Sequence, residues 1–379
     1  MSLITAIDIG SHSLKWVRVD CNSGQRPLLR DWGRELLEEG TLTGNFNKLG
    51  LRKPAVFRDN LVQVLTDSAA RGGEVALTFP DQFIKVFFSE LDRLQDLTAK
   101  ERQYTIWRLR QQLPSSIVSD CILDYQHLVT LRRDTGPVFK VVVEAVREEI
   151  LNELSRRVAE QKAWPAFTNA NSFCCFNLFQ DQLDKGAEAE KPVCLIHIGH
   201  YSTTFSFFRN GILEYVRILD FAWHNFVEIC VRVAGCTVEE AHQKLRTEEL
   251  LPETGKAPTA GLKGISLFCE LFEEWFREIE QTFTFHKSNH PYIDKPQVYL
   301  CGGGASLKNL SSFLGKLLNA PVSLLDPGLA VNMEAVPDLN ERLGLSAALG
   351  AAITWGTQDE ETLPVATQTE RSSQEVVAQ

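Results

Sequence analysis

The start of the chain alternates short apolar stretches with short polar turns, a pattern typical of β-strands joined by tight connections. The stretches LITAIDIG at 3–10 and LKWVRVD at 14–20 predict two strands, and PLLRDWGREL at 27–36 predicts a third. The segment 192–221, PVCLIHIGHYSTTFSFFRNGILEYVRILDF, repeats this order about 190 residues later. In both segments an apolar strand ends in an Ile-Gly turn with hydroxyl side chains. The repeat predicts two related lobes.

A different order of elements lies between the two repeats. After a predicted helix at 54–68, the strand FIKVFFSEL is followed by a helix, by the strands CILDYQHLVTL and FKVVVEAV, and by a second helix from Glu148 to Gln161. Thr98, with Glu101 three residues later, is a capping-box signature for the start of the first of these helices. The compact β-α-β-β-α order predicts a subdomain inserted at 75–165.

The second half of the chain continues the α/β pattern. AWHNFVEICVRVAG predicts a helix, Thr237 and Glu240 predict the capped start of another, and FEEWFREIEQTFTFHK lies in a long amphipathic helix. QVYLCGGGASLKNL reads as a strand that runs through three glycines into a helix. A helix rich in alanine and glycine is predicted at 344–355, and the polar composition of 357–379 predicts a disordered tail.

Composition narrows the classes of function. The 379 residues suggest about two to four domains, and a net charge of −10 without a basic cluster argues against a nucleic-acid partner. The nine cysteines form no CxxC pair, which favours a reducing, cytoplasmic compartment. We find no signal-peptide pattern and no apolar stretch of the roughly 20 residues that span a bilayer. We therefore expect no direct membrane insertion, and any link to a membrane through a partner.

Three turns carry the candidate chemistry. They lie at 8–15, 197–204 and 302–306, and each combines glycine at a strand end with hydroxyls or exposed N–H groups that can cradle phosphate. A single such turn is usually only a tight β-turn, and the glycine triplet does not match the spaced glycines of a dinucleotide fold. Three of them in a duplicated framework predict a nucleotide site between the lobes.

These segments also carry a family resemblance. AIDIGSHSLKWVRVD resembles the first phosphate hairpin of the actin-like ATPase superfamily, and within it the chain is similar to the PilM family of type IV pilus assembly proteins, relatives of the division protein FtsA. The resemblance runs from about residue 4 to residue 356. It includes FPDQFIKVFF, ILDYQHLV, VEAVREEI, TVEEAHQKL, QVYLCGGGASLKNL and LGLSAALGAA.

The resemblance implies a two-lobed actin-like ATPase fold, with duplicated ribonuclease-H-like domains and an inserted subdomain 1C. The predicted ranges are 1–74, 166–180 and 340–356 for subdomain 1A, 75–165 for subdomain 1C, 191–228 and 297–339 for subdomain 2A, 229–296 for subdomain 2B, and 357–379 for the tail.

The resemblance further implies that ATP and Mg²⁺ bind between the lobes. Carried over by position, the cofactor-binding residues are Asp8, Gly10, Ser11, Ser13 and Lys15 on the first turn, Gly199, Ser202, Thr203 and Thr204 on the second, Gly302, Gly303 and Gly304 on the third, and Glu278 and Gln281 on the purine side. Asp8 is predicted to hold the metal through water, because a hard divalent cation prefers oxygen ligands. No catalytic residue is assigned.

The implied function is that of a cytoplasmic adaptor, peripheral to the inner membrane. It would bind the N-terminal tail of a PilN-like inner-membrane protein in a groove between subdomains 1A and 1C. Contacts with pilus motor ATPases and homo-oligomerisation are left open. The alternatives are a small-molecule kinase of the same superfamily, a GspL-like secretion component and an FtsA-like filament protein.

The second turn departs from the family pattern, because His197 stands where the family usually has aspartate. Losing a positioned acid or base typically costs about 10²–10⁴ in rate, so we expect ATP binding with weak or absent hydrolysis. The alternative is a core imidazole satisfied by a backbone carbonyl. His200 in the same turn is expected to be exposed.

Overall fold

The structure is a computed structural model that describes most of the chain. It covers residues 3–22, 25–94, 98–134, 136–186, 191–251, 263–290, 295–334, 336 and 338–357, with the backbone alone for 184–186 and 263–271. The predicted disordered tail lies outside the described residues, except for Thr357.

The described elements follow an α/β order. The strands are β1 (Leu3–Ile9), β2 (Ser13–Asp20), β3 (Leu28–Leu36), β4 (Leu42–Asn45), β5 (Lys48–Leu51), β6 (Glu74–Phe79), β7 (Ile84–Leu91), β8 (Cys121–Arg133), β9 (Gly136–Arg147), β10 (Trp164–Ala170), β11 (Val193–Ile198), β12 (Thr203–Arg209), β13 (Ile212–Leu219), β14 (Gln297–Cys301) and β15 (Val322–Leu324). The α-helices are α1 (Pro54–Asp67), α2 (Ala99–Gln112), α3 (Ser115–Val118), α4 (Glu148–Glu160), α5 (Asn171–Gly186), α6 (Trp223–Ala234), α7 (Val238–Thr247), α8 (Lys263–Asn289), α9 (Leu310–Leu317) and α10 (Leu339–Thr357). Short 3₁₀ turns lie at Asp81–Phe83, Gly303–Ser306 and Pro327–Leu329.

Two five-stranded sheets have the same topology. The first has the order β3-β2-β1-β6-β10 and the second the order β13-β12-β11-β14-β15. In each, the first three strands along the chain pair antiparallel and the last two join in parallel. The duplication predicted from the repeated pattern is therefore confirmed.

A third sheet, of order β7-β9-β8, is inserted between β6 and β10. The order β7-α2-α3-β8-β9-α4 agrees with the predicted β-α-β-β-α unit, with one extra short helix. The boundary at 75 does not agree, because β6 pairs with both β1 and β10 as an inner strand of the first sheet. At the other end, α4 packs Ile150 and Leu154 into the first lobe's core. The pairing and packing thus limit the insertion to about 84–147, and the other subdomain ranges stay predictions.

Local signals fix several helices. In α1 the buried residues are Phe57, Leu61, Val64 and Leu65, the apolar side predicted from the sequence. Both predicted capping boxes are present, at Thr98 and at Thr237. None of the helices in the described part of the chain is long and apolar enough to cross a bilayer.

The helices α5 and α10 pack between the two sheets. Their small and apolar residues share one core with strands of both lobes. The approach is closest at Gly350 in α10, where an added Cβ would lie 1.9 Å from the carbonyl oxygen of Cys174 in α5. This contact brings the start of α10 to the cleft between the lobes.

Candidate functional site

The predicted turns meet in one cleft between the lobes, with a volume of about 950 Å³ including its open mouth. The predicted residues that line it are Asp8, Gly10, Ser11, Ser13, Lys15, Gly199, Ser202, Gly302, Gly303 and Gly304. Segments separated by about 190 and 100 residues in the sequence thus share one surface. The predicted residues outside the lining are Thr203, Thr204, Glu278 and Gln281.

The first turn places an acid and a base opposite each other. Asp8 near the end of β1 pairs in register with Lys15 in β2, and Lys15 Nζ donates to Asp8 Oδ2 over 2.6 Å. Asp8 Oδ1 and Ser11 Oγ are buried and make no hydrogen bond to any described residue. Gly10 fits because a Cβ there would lie 2.7 Å from Ser13 O. The turn therefore offers an unused carboxylate oxygen and an unused hydroxyl at the cleft.

The two threonines of the second turn use their hydroxyls inside the protein. Thr203 donates to Phe221 O over 2.6 Å, and Thr204 donates to Asp81 Oδ2 over 2.7 Å. Both are fully buried at the start of β12. A buried hydroxyl needs a protein partner, and both hydroxyls have one. The two threonines therefore do not line the cleft.

Asp81 is a residue of the cleft that the sequence analysis did not single out. It follows β6 in the first lobe and reaches His197 of the second lobe, with His197 Nδ1 2.9 Å from Asp81 Oδ2. Its other oxygen accepts from the Ser172 N–H over 2.9 Å. The imidazole is thus satisfied by a carboxylate, and the alternative of a backbone carbonyl partner is wrong. An acid within the apolar run ALTFPDQFI was the available signal.

The contact between Asp81 and His197 shifts the pKa of each group towards its charged form. Burial raises the pKa of Asp81, but the charge of His197 and the hydrogen bonds from His197, Ser172 and Thr204 outweigh it and leave that pKa below its usual value. Burial lowers the pKa of His197, but the hydrogen bond and the charge of Asp81 outweigh it and leave that pKa raised. A buried carboxylate–imidazole contact, in which each partner favours the charged form of the other, therefore joins the lobes at the cleft.

The glycine triplet has two distinct roles. Gly302 has a φ of 84°, and a Cβ there would lie 2.7 Å from both His197 Cδ2 and Ile198 O. A Cβ at Gly304 would lie 2.3 Å from Ile198 Cγ2. At Gly303 the nearest atom is Gly344 Cα, at 3.9 Å. Gly302 and Gly304 thus permit close packing on β11, and Gly303 leaves room in the cleft.

Glu278 and Gln281 of α8 do not reach the cleft. Arg217 of β13 donates to Glu278 Oε2 over 2.6 Å, and Gln281 is exposed. Arg217 therefore holds Glu278 between α8 and the sheet. The spacing in the sequence could not reveal this cross-element partner.

A cluster of histidines also lies at the cleft. His12 of the first lobe stacks on His200 and on His242 of the second lobe, with ring centroids 5.0 and 4.5 Å apart. Trp223 Nε1 donates to His242 Nδ1 over 2.8 Å. His200, expected to be exposed, is half-buried in this stack. The two Ile-Gly turns are thus connected by aromatic contacts, in addition to the contact between Asp81 and His197 that joins the lobes.

These histidines are neutral at physiological pH. Burial, followed by neighbouring positive charges, lowers the pKa of His12 to about 3 and that of His242 to about 4. Burial also lowers the pKa of His200 well below its usual value. The stack therefore adds no charge to the cleft. Positive charge comes from the lining residues Lys15, Arg34 and Arg246.

We expect the histidine stack to make the protein acid-sensitive. Between pH 6.5 and 4 the unfolded chain binds protons at His12 and His242 while the folded protein does not, so stability falls as the pH falls. The slope is up to about 1.4 kcal/mol per pH unit for each histidine, and smaller for the more exposed His242. Urea unfolding at pH 7 and pH 5 measures it. The same pH slope in the wild type and in His12→Asn would contradict this role.

Two related sheets that face a shared cleft lined by matching turns define an actin-like ATPase fold. Residues 6–352 match the family model described as type IV pilus assembly protein PilM, and the chain belongs to this family.

One solved structure supports the fold, and others show weaker similarity. The chain is similar to one described as the PilM-PilN type IV pilus biogenesis complex, with a TM-score of 0.76 and 20% identity over 94% of this chain and 99% of that chain. Weaker similarity is found to MreB 5 of Spiroplasma citri bound to AMPPNP, with a TM-score of 0.47 and 12% identity over 100% of this chain and 99% of that chain. The ethanolamine utilization protein EutJ from Carboxydothermus hydrogenoformans also gives 0.47, with 11% identity over 93% of this chain and 90% of that chain. Among curated proteins none matches the chain.

Proposed function

We propose that this protein is a nucleotide-binding adaptor of type IV pilus assembly. It binds ATP with Mg²⁺ between its lobes and the N-terminal tail of a PilN-like inner-membrane protein. The observation that carries the nucleotide site is the meeting of three glycine turns, far apart in the sequence, in one cleft. Family membership carries the role in pilus assembly.

The residues of the cleft fit a magnesium nucleotide. Asp8 has one unused buried oxygen, which suits a hard cation held through water, and Ser11 has an unused hydroxyl. Lys15, Arg34 and Arg246 offer positive charge for phosphates. Bound there, ATP supplies a polyphosphate that both lobes can hold. Gly303 leaves room for the nucleoside side of the ligand.

We further propose that hydrolysis is slow. Asp81 restores a carboxylate beside the second turn, but its two oxygens already accept from Ser172, His197 and Thr204. Although burial raises the pKa of Asp81, the charge of His197 and these hydrogen bonds leave that pKa below its usual value, and a carboxylate of low pKa is a weak general base. Asp81 therefore holds the lobes together and does not replace the aspartate usual in this turn.

The nucleotide site is tested by placing a side chain at Gly303. In Gly303→Val the added Cβ would meet only Gly344 Cα, at 3.9 Å, and the side chain would occupy part of the cleft, so we expect ATP affinity to fall at least 10-fold without loss of stability. Titration calorimetry with ATP and Mg²⁺ measures the affinity, and thermal melting checks the fold. Gly73→Val is the matched control, since a Cβ there meets only Ala70 O at 3.6 Å and lies outside the cleft. Equal affinity in the two variants would reject the site.

The adaptor role is tested with the partner's tail in the same experiment series. The partner's groove would lie between the first lobe and the inserted unit. ATP that bridges the lobes can change this groove only if ATP binds one conformation of the protein more tightly than another. We expect a PilN-like N-terminal peptide to bind at least about five-fold more tightly or more weakly when ATP is added. Equal binding with and without ATP would remove the coupling. The partner would hold the protein at the cytoplasmic face of the inner membrane, and contacts with motor ATPases and self-association stay predictions.

A further inference from the structure

Three potential metal ligands converge at the C-terminal end of α8, away from the interlobe cleft. They are Glu214 of β13, His286 of α8, and His290 just beyond it, and one ligand atom of each lies within 4.8 Å of the others. His286 Nε2 is 3.3 Å from Glu214 Oε2, and His290 Nδ1 is 3.8 Å from the same oxygen. Histidines four residues apart lie on one face of a helix, which explains how two of the three meet.

A β-bulge directs the third ligand. Phe207 pairs with Tyr215 and Phe208 pairs with Leu213, so Glu214 is the extra residue of β13. Leu213 packs into the core on one face of the sheet, and Tyr215 packs into the core on the other. Regular alternation would have placed Glu214 on the face opposite Tyr215. The bulge instead lets both residues face α8, and bulges often re-aim side chains in this way at functional sites.

We propose that Glu214, His286 and His290 bind a transition-metal ion of the zinc type. Zn²⁺ binds nitrogen and carboxylate oxygen at about 2.0–2.2 Å, so tetrahedral ligand atoms lie roughly 3.3–3.5 Å apart. The two distances to Glu214 Oε2 are close to this separation. Two imidazoles and one carboxylate favour Zn²⁺ over Mg²⁺, which prefers oxygen ligands alone. Three protein ligands leave a fourth position for water.

The surroundings of the cluster suit metal ligands. Arg209 Nε pairs with Glu214 Oε1 at 3.2 Å, so it occupies the oxygen that does not face the histidines. Glu214 Oε2 is buried and faces both histidines. The ring of Phe207 stacks on His286 with centroids 4.1 Å apart, which fixes the imidazole. Metal-binding carboxylates and histidines are typically oriented by such neighbours.

Cobalt titration tests the site. The untagged full-length protein is stripped with a chelator and titrated with Co²⁺, whose visible absorption intensifies on four- or five-coordinate binding. We expect one equivalent to bind, Zn²⁺ to displace it, and Zn²⁺ but not Mg²⁺ to raise the melting temperature. In His290→Ala and in Glu214→Gln we expect the affinity for Co²⁺ to fall at least about 100-fold, because even loss of an outer partner costs about 10–100-fold.

A matched control separates this site from other ligands. His127 on β8 lies outside the cluster, beside Thr130, so His127→Ala should bind Co²⁺ like the wild type. Binding by cysteines would give a sulfur-to-cobalt charge-transfer band that survives in His290→Ala, and that result would overturn the proposal. Absence of a visible band with excess Co²⁺ would also overturn it. It would show that Glu214, His286 and His290 are neighbours that bind no metal.

Discussion

Replacing His197 by aspartate is expected to destabilise the protein, although it restores the residue usual in the family's second turn. The new carboxylate would face Asp81 in a buried site where His197 now lies 2.9 Å away. Removing one partner of a buried ion pair costs about 3–5 kcal/mol, and a second negative charge forces one carboxyl to take up a proton. Urea unfolding at pH 7 measures the loss.

A second substitution tests the cause of this loss. In the His197→Asp background, Asp81→Asn removes the repulsion and should recover at least half of the lost stability. His127→Asp makes the same chemical change on the inserted sheet and should change stability by less than about 1 kcal/mol. A single His197→Asp variant as stable as the wild type would refute the ion pair between the lobes.

Gly350→Ala is expected to destabilise the contact between α10 and α5. The added Cβ would lie 1.9 Å from Cys174 O and 2.5 Å from Cys174 C, and backbone atoms cannot move aside as a flexible side chain can. Overpacking of this kind costs about 1–3 kcal/mol. Because α10 also lines the cleft with Gly344 and Ala347, we expect weaker ATP binding as well. Chemical denaturation and titration calorimetry measure the two effects.

A second helical glycine provides the control. At Gly315 in α9 an added Cβ would lie 3.4 Å from Ala320 O, an ordinary contact distance. Alanine gives the unfolded chain less conformational entropy than glycine does. Gly315→Ala should therefore stabilise the folded protein by about 0.4–1 kcal/mol. Opposite signs for the two substitutions would confirm that close packing decides the effect. A gain at both positions would show that α10 can move away from α5.

Much of the fold was predictable because its signals are local. The four buried residues of α1 follow helical spacing, and both capping boxes need only residues three apart. The duplication was predictable because the two segments repeat the same order of strands and turns. Asp8 and Gly303 could be assigned to the cleft because glycine turns at the ends of strands are recognisable from neighbouring residues.

The features that the sequence could not reveal concern partners that are distant along the chain. Thr204 and Glu278 carry groups suited to a nucleotide, but Asp81 and Arg217 engage them. The predicted start of the inserted subdomain at residue 75 included β6. In the sequence, β6 is followed closely by β7, the first strand of the insertion, and nothing marks the change of sheet. Only pairing with β1 and β10 shows that β6 belongs to the first sheet.

Periodicity and neighbouring residues were sufficient to predict most of the strands, the capped helices, the duplicated lobes and the three glycine turns. Three features became visible only in the folded protein: Asp81 of one lobe meets His197 of the other, histidines stack across the cleft, and a bulge turns Glu214 towards α8. These contacts join residues far apart in the chain, and their charges and packing acquire meaning only when folding has excluded water and brought them within a few ångströms.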